Sequence, residues 1–481
     1  MQRVMHRRVL LAQGGVLLGL LLAGCAAGPD YRKPTTELPP AWKVEPPWRE
    51  STPADAAAKG PWWQRFGDAQ LDTLAQQALQ NSPTLALAGA RLAQARALLA
   101  GTSAALLPQV GLSERAARQR ISANRPLSNY NAPNFATVQT DLTLAMSVSY
   151  EVDLAGRVQR SVEGAQAGVE QAAADAENTK LLLTADLATA YFNLRAIDSE
   201  LDVLARAITL QQRALEFVRT RHDLGAAPGV DVAQQQALLE STRVQVDVLK
   251  RQRGLYEHAV ATLSGTPAPL FTLAPTAGAV ALGVPPAVPL GVPSDMLERR
   301  PDIAAAERAM AVANAQIGVA AAAFYPSVVL GGSGGVESRT LSALFDAPSI
   351  LWSLGVSAAQ TLFDGGRQRA SEQFARAGHA AATANYRRVV LGAMQEVEDG
   401  ITGLAALERA VAQARAAEAA ARRVFEMATA RYEGGASTYL EVINAQQGLL
   451  ANERVLAQLT GQRLLTAVFL VKALGGDWQR A

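Results

Sequence analysis

The chain has 481 residues, one cysteine and four histidines, a length sufficient for about three domains and a large buried core. Lys and Arg number 45 against 43 Asp and Glu, a formal +2 that falls to −1 when the three arginines of the first 24 residues leave with the leader argued below, and this balance excludes a nucleic-acid binder with a clustered basic surface. One cysteine forms no internal disulfide, three histidines beyond residue 24 make no Cys/His metal module, and 49% apolar residues with 5% aromatics and abundant alanine suit long, closely packed helices.

Residues 1–24 read as a signal peptide. A basic head (Arg3, His6, Arg7, Arg8) precedes an apolar stretch from Val9 to Leu22, and Leu22-Ala23-Gly24-Cys25 follows. Fourteen residues are too few to span a bilayer, which needs about 20, and basic head, short apolar middle and small residues before a cut describe a secretory leader. The tetrapeptide resembles the bacterial lipobox, which implies that Cys25 becomes the lipidated N-terminus. A covalent lipid on Cys25 is the one non-protein group expected, and no other cofactor is. Ala26 follows it rather than an aspartate, which in such lipoproteins implies sorting to the outer membrane. More than one acyl chain, at about 0.8 kcal/mol per buried CH₂, anchors a chain stably.

After an N-terminal segment over 25–82, rich in proline from Pro34 to Pro61, the chain repeats itself. Pro83 to Pro108 and Pro301 to Pro326 are equally spaced, and Leu85/Ile303, Ala86/Ala304, Ala93/Ala311, Ala95/Ala313 and Ala104/Ala322 fall in register at offset 218. Beyond them Gly156-Arg157/Gly366-Arg367, Arg221/Arg431, Gly225/Gly435, Val232/Val442 and Gly265/Gly475 match at offset 210. The first repeat is 83–265 and the second 301–475, with a tail at 476–481; the eight-residue difference falls in a length-variable loop before the Gly-Arg pair. Between them 266–300 carries seven prolines from Pro267 to Pro293 and is expected to be an extended connector.

Each repeat is expected to give a short helix, a β-hairpin (about 106–153 and 324–363), a long helix and a return helix. In the first hairpin Leu142, Leu144, Met146, Val148, Tyr150 and Val152 alternate with polar or small residues; in the second, Ile350, Trp352, Leu354, Val356 and Ala358 do the same. These are strands with two unlike faces, four per chain, each with room for the 9–11 residues of a transmembrane strand. An open four-stranded sheet in lipid would leave unpaired backbone costing several kcal/mol per group, so closure must come from other copies: two at least, and three would give twelve strands. A soluble sandwich is the alternative use of the same alternation.

The long helices carry heptads. Leu187, Leu194, Leu201, Ile208 and Leu215 run with Ala190, Ile197, Leu204 and Val218, broken once by Gln211; Val397, Leu404, Val411, Phe425 and Tyr432 run with Leu407, Ala414, Ala421 and Ala428, broken by Glu418. Such a/d seams wind helices around neighbours, and some 68 helical residues reach roughly 100 Å. Glycine signals end both, His222-Asp223-Leu224-Gly225 and Tyr432-Glu433-Gly434-Gly435, and proline-free helices return over about Val230–Leu263 and Leu440–Leu474. On the helices alone, a soluble coiled-coil scaffold reads equally well.

Gly28-Pro29-Asp30-Tyr31-Arg32-Lys33-Pro34, Trp62-Trp63 with Phe66, Asp68 and Leu71, Arg299-Arg300-Pro301-Asp302-Ile303, Phe363-Asp364-Gly365-Gly366-Arg367 and Arg431-Tyr432 with Gly435 together resemble the outer-membrane factors of tripartite efflux systems, in the OprM/NodT lipoprotein branch related to TolC. The resemblance covers almost the whole mature chain. It implies a mainly α fold with membrane β: a homotrimer whose twelve-stranded outer-membrane barrel continues into a periplasmic α-helical coiled-coil barrel, with an equatorial region drawing on 25–82. It also implies a periplasmic adaptor and an inner-membrane pump, usually of the resistance-nodulation-division type, as partners. By position, Asp231 and Tyr432 resemble the carboxylate and phenol that bridge neighbouring coiled coils, and Glu441 and Asn444 resemble lumen-facing constriction residues. Adaptor contacts are expected near Gly225 and Gly435. Asn444 stands where relatives often carry aspartate and Ser437 where TolC-like members carry a bridging arginine, which implies a weaker latch or a less selective ring. The residues themselves leave other roles open: a helix N-cap or first-turn carboxylate for Asp231, a seam residue for Tyr432, a solvated face for Glu441 and Asn444.

No enzyme reading stands up. Gly331-Gly332-Ser333-Gly334-Gly335 satisfies G-x-S-x-G, but a nucleophile elbow needs a strand, a sharp turn and a helix, and here another strand comes next. His222, His258 and His379 lack a metal-binding frame, and there is no Walker loop. The expectation is a passive gated exit duct for drugs or other small molecules; the alternative is a lipid-anchored coiled-coil structural or adhesion protein without a pore.

Overall fold

The computed structural model describes residues 26–32, 60–123, 137–275, 285–286 and 299–476. The expected leader, Cys25, most of the proline-rich stretch after it, most of the connector and the end of the tail lie outside the described residues. The chain forms two compact units. One takes the N-terminal residues to Pro34, Leu92–Ala172 and Ala306–Tyr386; the other takes Thr35–Arg91, Ala173–Ala305 and Arg387–Ala481.

The first unit holds a four-stranded antiparallel sheet in the order β1 (Gln109–Ile121), β2 (Thr137–Val152), β3 (Ser327–Ser338), β4 (Ile350–Ala359). The register puts Leu112 opposite Met146, Met146 opposite Gly334, and Gly334 opposite Trp352. Paired residues share a face, so the even-numbered apolar set of every strand lines one side of the sheet. The other side carries Ser147, Ser333 and Ser353, in register across three strands. Gly331 to Gly335 therefore lie within β3, where no nucleophile elbow can form: the glycines let the backbones of β2 and β3 approach, since a Cβ on Gly335 would lie 2.2 Å from the Leu144 carbonyl oxygen. Among the described residues the outer edges of β1 and β4 pair with no other strand.

Helices α1 (Ala69–Asn81) and α2 (Pro83–Ser103) precede β1; α3 (Arg157–Asp223) and α4 (Gly229–Leu263) follow β2; α5 (Pro301–Ala322) precedes β3; α6 (Arg367–Glu433) and α7 (Tyr439–Ala473) follow β4. The repeats thus yield two 67-residue helices and two 35-residue return helices. The heptad rows are the buried rows. Leu187, Leu194, Leu204, Val218, Val397 and Val411 are almost completely enclosed, each such side chain contributing about 1.5–3 kcal/mol. At the seam's second break Glu418 turns to Arg422, 2.6 Å away and one turn on. None of the described helices is long and apolar enough to cross a membrane.

In the second unit the Trp62-Trp63 motif is packing. Trp62 meets Trp63 and Phe66 edge-on, its indole N–H donates to Thr184 Oγ1 at 3.1 Å, and Phe66 stacks on Phe192. Asp68 caps α1 by accepting from the Gln70 and Leu71 amides and also accepts the Tyr191 hydroxyl at 2.6 Å, so one carboxylate starts a short helix and ties it to a long one.

Candidate functional site

Three places in the fold gather the residues singled out by the sequence. The first is the sheet. Leu112, Trp352 and Leu354 are 75%, 78% and 84% exposed, on the face whose neighbours are Val110, Met146, Val148 and Val356. An exposed apolar band of this size is far from what a soluble monomer shows; on β1 it gives way to Glu114, opposite Leu144, and to Arg118, opposite Thr140. The opposite face is polar: Ser333 and Ser353 hydroxyls meet at 2.8 Å, and Arg115 stands 3.9 Å from Asp141.

The second is the segment that follows Cys25. Ala26–Tyr31 lies as a strap on the start of α3 and along α5. The Ala27 amide donates to the Ala155 carbonyl at 2.8 Å, at the turn between β2 and α3. Arg160 donates to the Ala27 carbonyl at 3.3 Å and to Asp30 at 2.7 Å, the Asn314 amide donates to the Pro29 carbonyl at 2.9 Å, and the Tyr31 hydroxyl donates to Glu307 at 3.1 Å. Gly28, at φ +87°, crosses α5 where a Cβ would lie 2.7 Å from Gly318 Cα. The Gly-Pro-Asp-Tyr motif is thus read by a clamp in which both crossing residues must be glycine. Cys25 itself lies outside the described residues, one residue before Ala26.

The third is the pair of helix turns in the second unit. Gly225 and Gly435 have φ +73° and +74°. Ala226 N–H donates to the Arg221 carbonyl at 2.7 Å, and Ala436 N–H to that of Arg431 at 2.8 Å. Both are Schellman caps, identical at offset 210. Asp231 and Glu441 also correspond, each the acid in the first turn of its return helix, near the positive end of the helix dipole. Glu441 is exposed and faces Arg431 at 3.6 Å; Asn444, one turn on, is exposed as well.

The turns differ in their aromatics. Tyr432 is buried, its ring 5.0 Å from that of Tyr439, with the Arg221 guanidinium 5.0 Å from the ring centroid of Tyr432. The corresponding positions in the first repeat are His222 and Gly229, and His222 Nδ1–H closes its own turn by donating to the Ala227 carbonyl at 2.8 Å. Tyr432 and Tyr439 join Val218, Leu238, Val442 and Ile443 in one apolar cluster, so Tyr432 packs as a seam residue. Among the described residues no hydrogen bond joins Asp231 to Tyr432 within the chain. Their common neighbour is Tyr439, whose phenol is pushed well above its usual range by burial first and by Tyr432 and Asp231 next. Burial also raises the Asp231 carboxyl. Tyr439 donates to Gln235 Oε1 at 2.9 Å, and Gln235, fully enclosed, donates to the Gln211 carbonyl at 3.1 Å. Ser437 Oγ, Gln211 Oε1 and Gln446 Oε1 are buried with no partner among the described residues.

Sequence reasoning missed Tyr439 and Gln235, although Gln211 was the signal: a polar residue breaking an otherwise apolar heptad row. It also missed the charges inside the long helices. Arg195 and Arg253 both bond Asp198, at 2.7 and 2.6 Å, and hold the connector through the Ala274 and Leu273 carbonyls. Glu257 accepts the Leu273 amide. The Arg-Arg-Pro-Asp motif resolves similarly: Arg300 grips Asp302, Glu396 and the Ala473 carbonyl, tying the start of α5 to α6 and to the end of α7.

Comparison with known proteins covers both repeats. The family model described as outer membrane efflux protein matches residues 74–266 and 292–476, one stretch for each repeat. The pyoverdine export outer membrane protein OpmQ of Pseudomonas putida is 32% identical over 452 residues, covering 92% of this chain and 95% of its own. The toluene efflux pump outer membrane protein TtgF of Pseudomonas putida is 30% identical over 473 residues, 96% of each. Among solved structures, the outer-membrane channel OprN superposes with a TM-score of 0.87 at 28% identity, covering 95% of this chain and 100% of its own.

Proposed function

This chain belongs to the outer membrane efflux protein family and is an outer-membrane efflux channel, and from that premise we propose that three copies, each anchored by lipid on Cys25, close their sheets into one twelve-stranded barrel that serves as the passive, gated exit duct of a tripartite pump. The carrying observation is the sheet itself: four strands with an exposed apolar band on one face and two edges unpaired among the described residues. In lipid that face is satisfied, and edge pairing with neighbouring copies satisfies the backbone. The polar face then lines the lumen, consistent with its serines and its Arg115/Asp141 pair.

The strap supports the anchor. Ala26 and Ala27 are fixed at the β2–α3 turn, so acyl chains on the preceding residue would leave at the foot of the membrane strands, where an anchor and a barrel can share one leaflet. In the helix turns, Gly225 and Gly435 present two equivalent capped loops to a periplasmic adaptor, and an inner-membrane pump, of the resistance-nodulation-division type, would deliver cargo through the opened end. Asp231 and Tyr432 are assigned to the contact between neighbouring copies; Glu441 and Asn444, both exposed, are assigned to the constriction, three copies of Glu441 giving an anionic ring that favours cations. The relatives are named for pyoverdine and for toluene, cargoes of very different polarity, at nearly the same identity to this chain. The duct is therefore assigned small organic molecules as a class, with selection made upstream.

Reconstitution of the purified, detergent-solubilised chain into planar bilayers tests the reading. Discrete current steps and a trimeric mass are expected. A monomer that stays soluble without detergent once its lipid is cleaved, and that passes no current, would return the lipid-anchored coiled-coil scaffold to first place.

A further inference from the structure

The apolar seams that hold the helix hairpins together are poor at specifying register. Toward its turn α3 buries Val203, Leu204, Ala207, Leu215 and Val218, and α7 offers Val442, Ala445, Leu449 and Leu450; farther from the turn the same helices are already tied by polar contacts, Arg454 of α7 donating to Glu200 of α3 at 2.7 Å and to Gln245 of α4 at 2.8 Å. Sliding one helix past another by a heptad replaces apolar contacts with similar ones, and a single buried polar pair is the device that singles out one alignment.

One such pair crosses from the second repeat to the first. Gln235 of α4 is fully enclosed, as is the Gln211 backbone it touches, and Tyr439 of α7 is 3% exposed. Gln235 uses both ends of its amide: Nε2 donates to the Gln211 carbonyl of α3, and Oε1 accepts the Tyr439 hydroxyl. Tyr439 packs in one cluster with Val218, Leu238, Val442, Ile443 and Tyr432, and the buried Oε1 atoms of Gln211 and Gln446 have no partner among the described residues. Three helices therefore meet at one amide in an apolar layer.

We propose that the Tyr439–Gln235–Gln211 chain is a register key for the turn end of the helix hairpins: it fixes the first turns of α7 against α3 and α4, beyond the reach of Arg454, so that the two helix turns, with the constriction residues Glu441 and Asn444 just beyond Tyr439, meet in a single alignment. Tyr439 and Gln235 are positioning residues, which set the constriction without lining it. The inference rests on the gated-duct reading and adds to it the feature that gives all copies one closed geometry. A slip of α7 by a fraction of a heptad takes the Tyr439 hydroxyl off Gln235 and leaves a buried acceptor unmatched. The key is supplied by the second repeat alone, because Gly229 occupies the position that corresponds to Tyr439 and has no side chain to donate.

The test separates register from stability. Tyr439→Phe keeps the ring and removes the donor, stranding Gln235 Oε1. Gln235→Leu with Tyr439→Phe removes both partners and restores an apolar layer, which is nearly neutral where a single deletion is not. Full-length wild type and both variants are melted in detergent and recorded in planar bilayers. Wild type is expected to show one narrow conductance level. The double variant is expected to melt at or above the wild-type temperature while its conductance levels spread at least twofold. A double variant with the wild-type distribution overturns the key. Should the double variant fail to assemble, Tyr439→Phe decides alone: a broadened distribution supports the key, and a single wild-type level overturns it. Wild type that conducts nothing rejects the duct reading itself, a distinct outcome.

Discussion

Arg195 and Asp198 stand one turn apart on α3, both almost completely buried, and are joined at 2.7 Å. Two charges inside a helix seam are costly to desolvate unless every lone pair is used. Here the second carboxylate oxygen goes to Arg253 at 2.6 Å, and Arg195 also takes the Ala274 carbonyl and Gln70. Asp198→Ala would leave two guanidinium groups facing each other without their shared anion. A loss of about 3–5 kcal/mol is expected, measured by denaturant unfolding in detergent, with the connector becoming protease-sensitive around Leu273.

Gly318→Ala tests the strap. The added Cβ would lie 2.7 Å from Arg160 Cγ and 3.0 Å from the Ala27 carbonyl oxygen, so Arg160 must shift and its bonds to Ala27 and Asp30 are lost. Faster hydrogen exchange at the Ala27 amide is expected, with exchange in α7 unchanged. Unaltered protection of Ala27 would show that the strap does not depend on this crossing.

The two faces of β4 give opposite outcomes for one substitution. Leu354→Lys puts a charge on the apolar face, at about 2–4 kcal/mol per copy if it lies at the bilayer midplane, and should sharply reduce the assembled, heat-resistant fraction on gels. Ser353→Lys, next in sequence and on the other face, should leave assembly intact and shift reversal potentials toward anion preference. Equal effects of the two would contradict the assignment of faces.

Burial raises the Asp231 carboxyl above its ordinary 3.8. A carboxyl raised on folding favours the folded state most below its unfolded value, and that advantage is lost as pH climbs through the raised value. Asp231→Asn should therefore raise the melting temperature at pH 7 relative to wild type, the difference closing below about pH 4. In bilayers Asp231→Ala should raise conductance, because the carboxylate, without a side-chain bond of its own in the described chain, is the group left for a neighbouring copy.

Cys25→Ser removes the acyl site while leaving the strap intact. Loss of metabolic palmitate labelling is expected. Label retained in the variant would place the lipid on another residue.

The sequence by itself determined the elements. Period-2 alternation in Leu142–Val152 marks a two-faced strand because side chains alternate across a sheet, and Leu187-Leu194-Leu201 marks a seam because seven residues return nearly to the same side of a helix. Offsets of 218 and 210 carried the duplication, and Gly225 and Gly435 marked the ends of the long helices because only glycine takes that φ without strain. None of this says which polar atoms meet. Tyr439 and Gln235 are 204 residues apart, Arg160 and Asp30 are 130 apart, and no spacing rule connects residues on different helices. Asp231 and Tyr432 share Tyr439 as a neighbour, its ring 5.0 Å from that of Tyr432 and its phenol raised in part by Asp231, and Gly229 stands at the matching position of the other repeat. Tertiary structure decided that point, since a buried donor goes to whichever acceptor the packing of three helices leaves within about 3 Å.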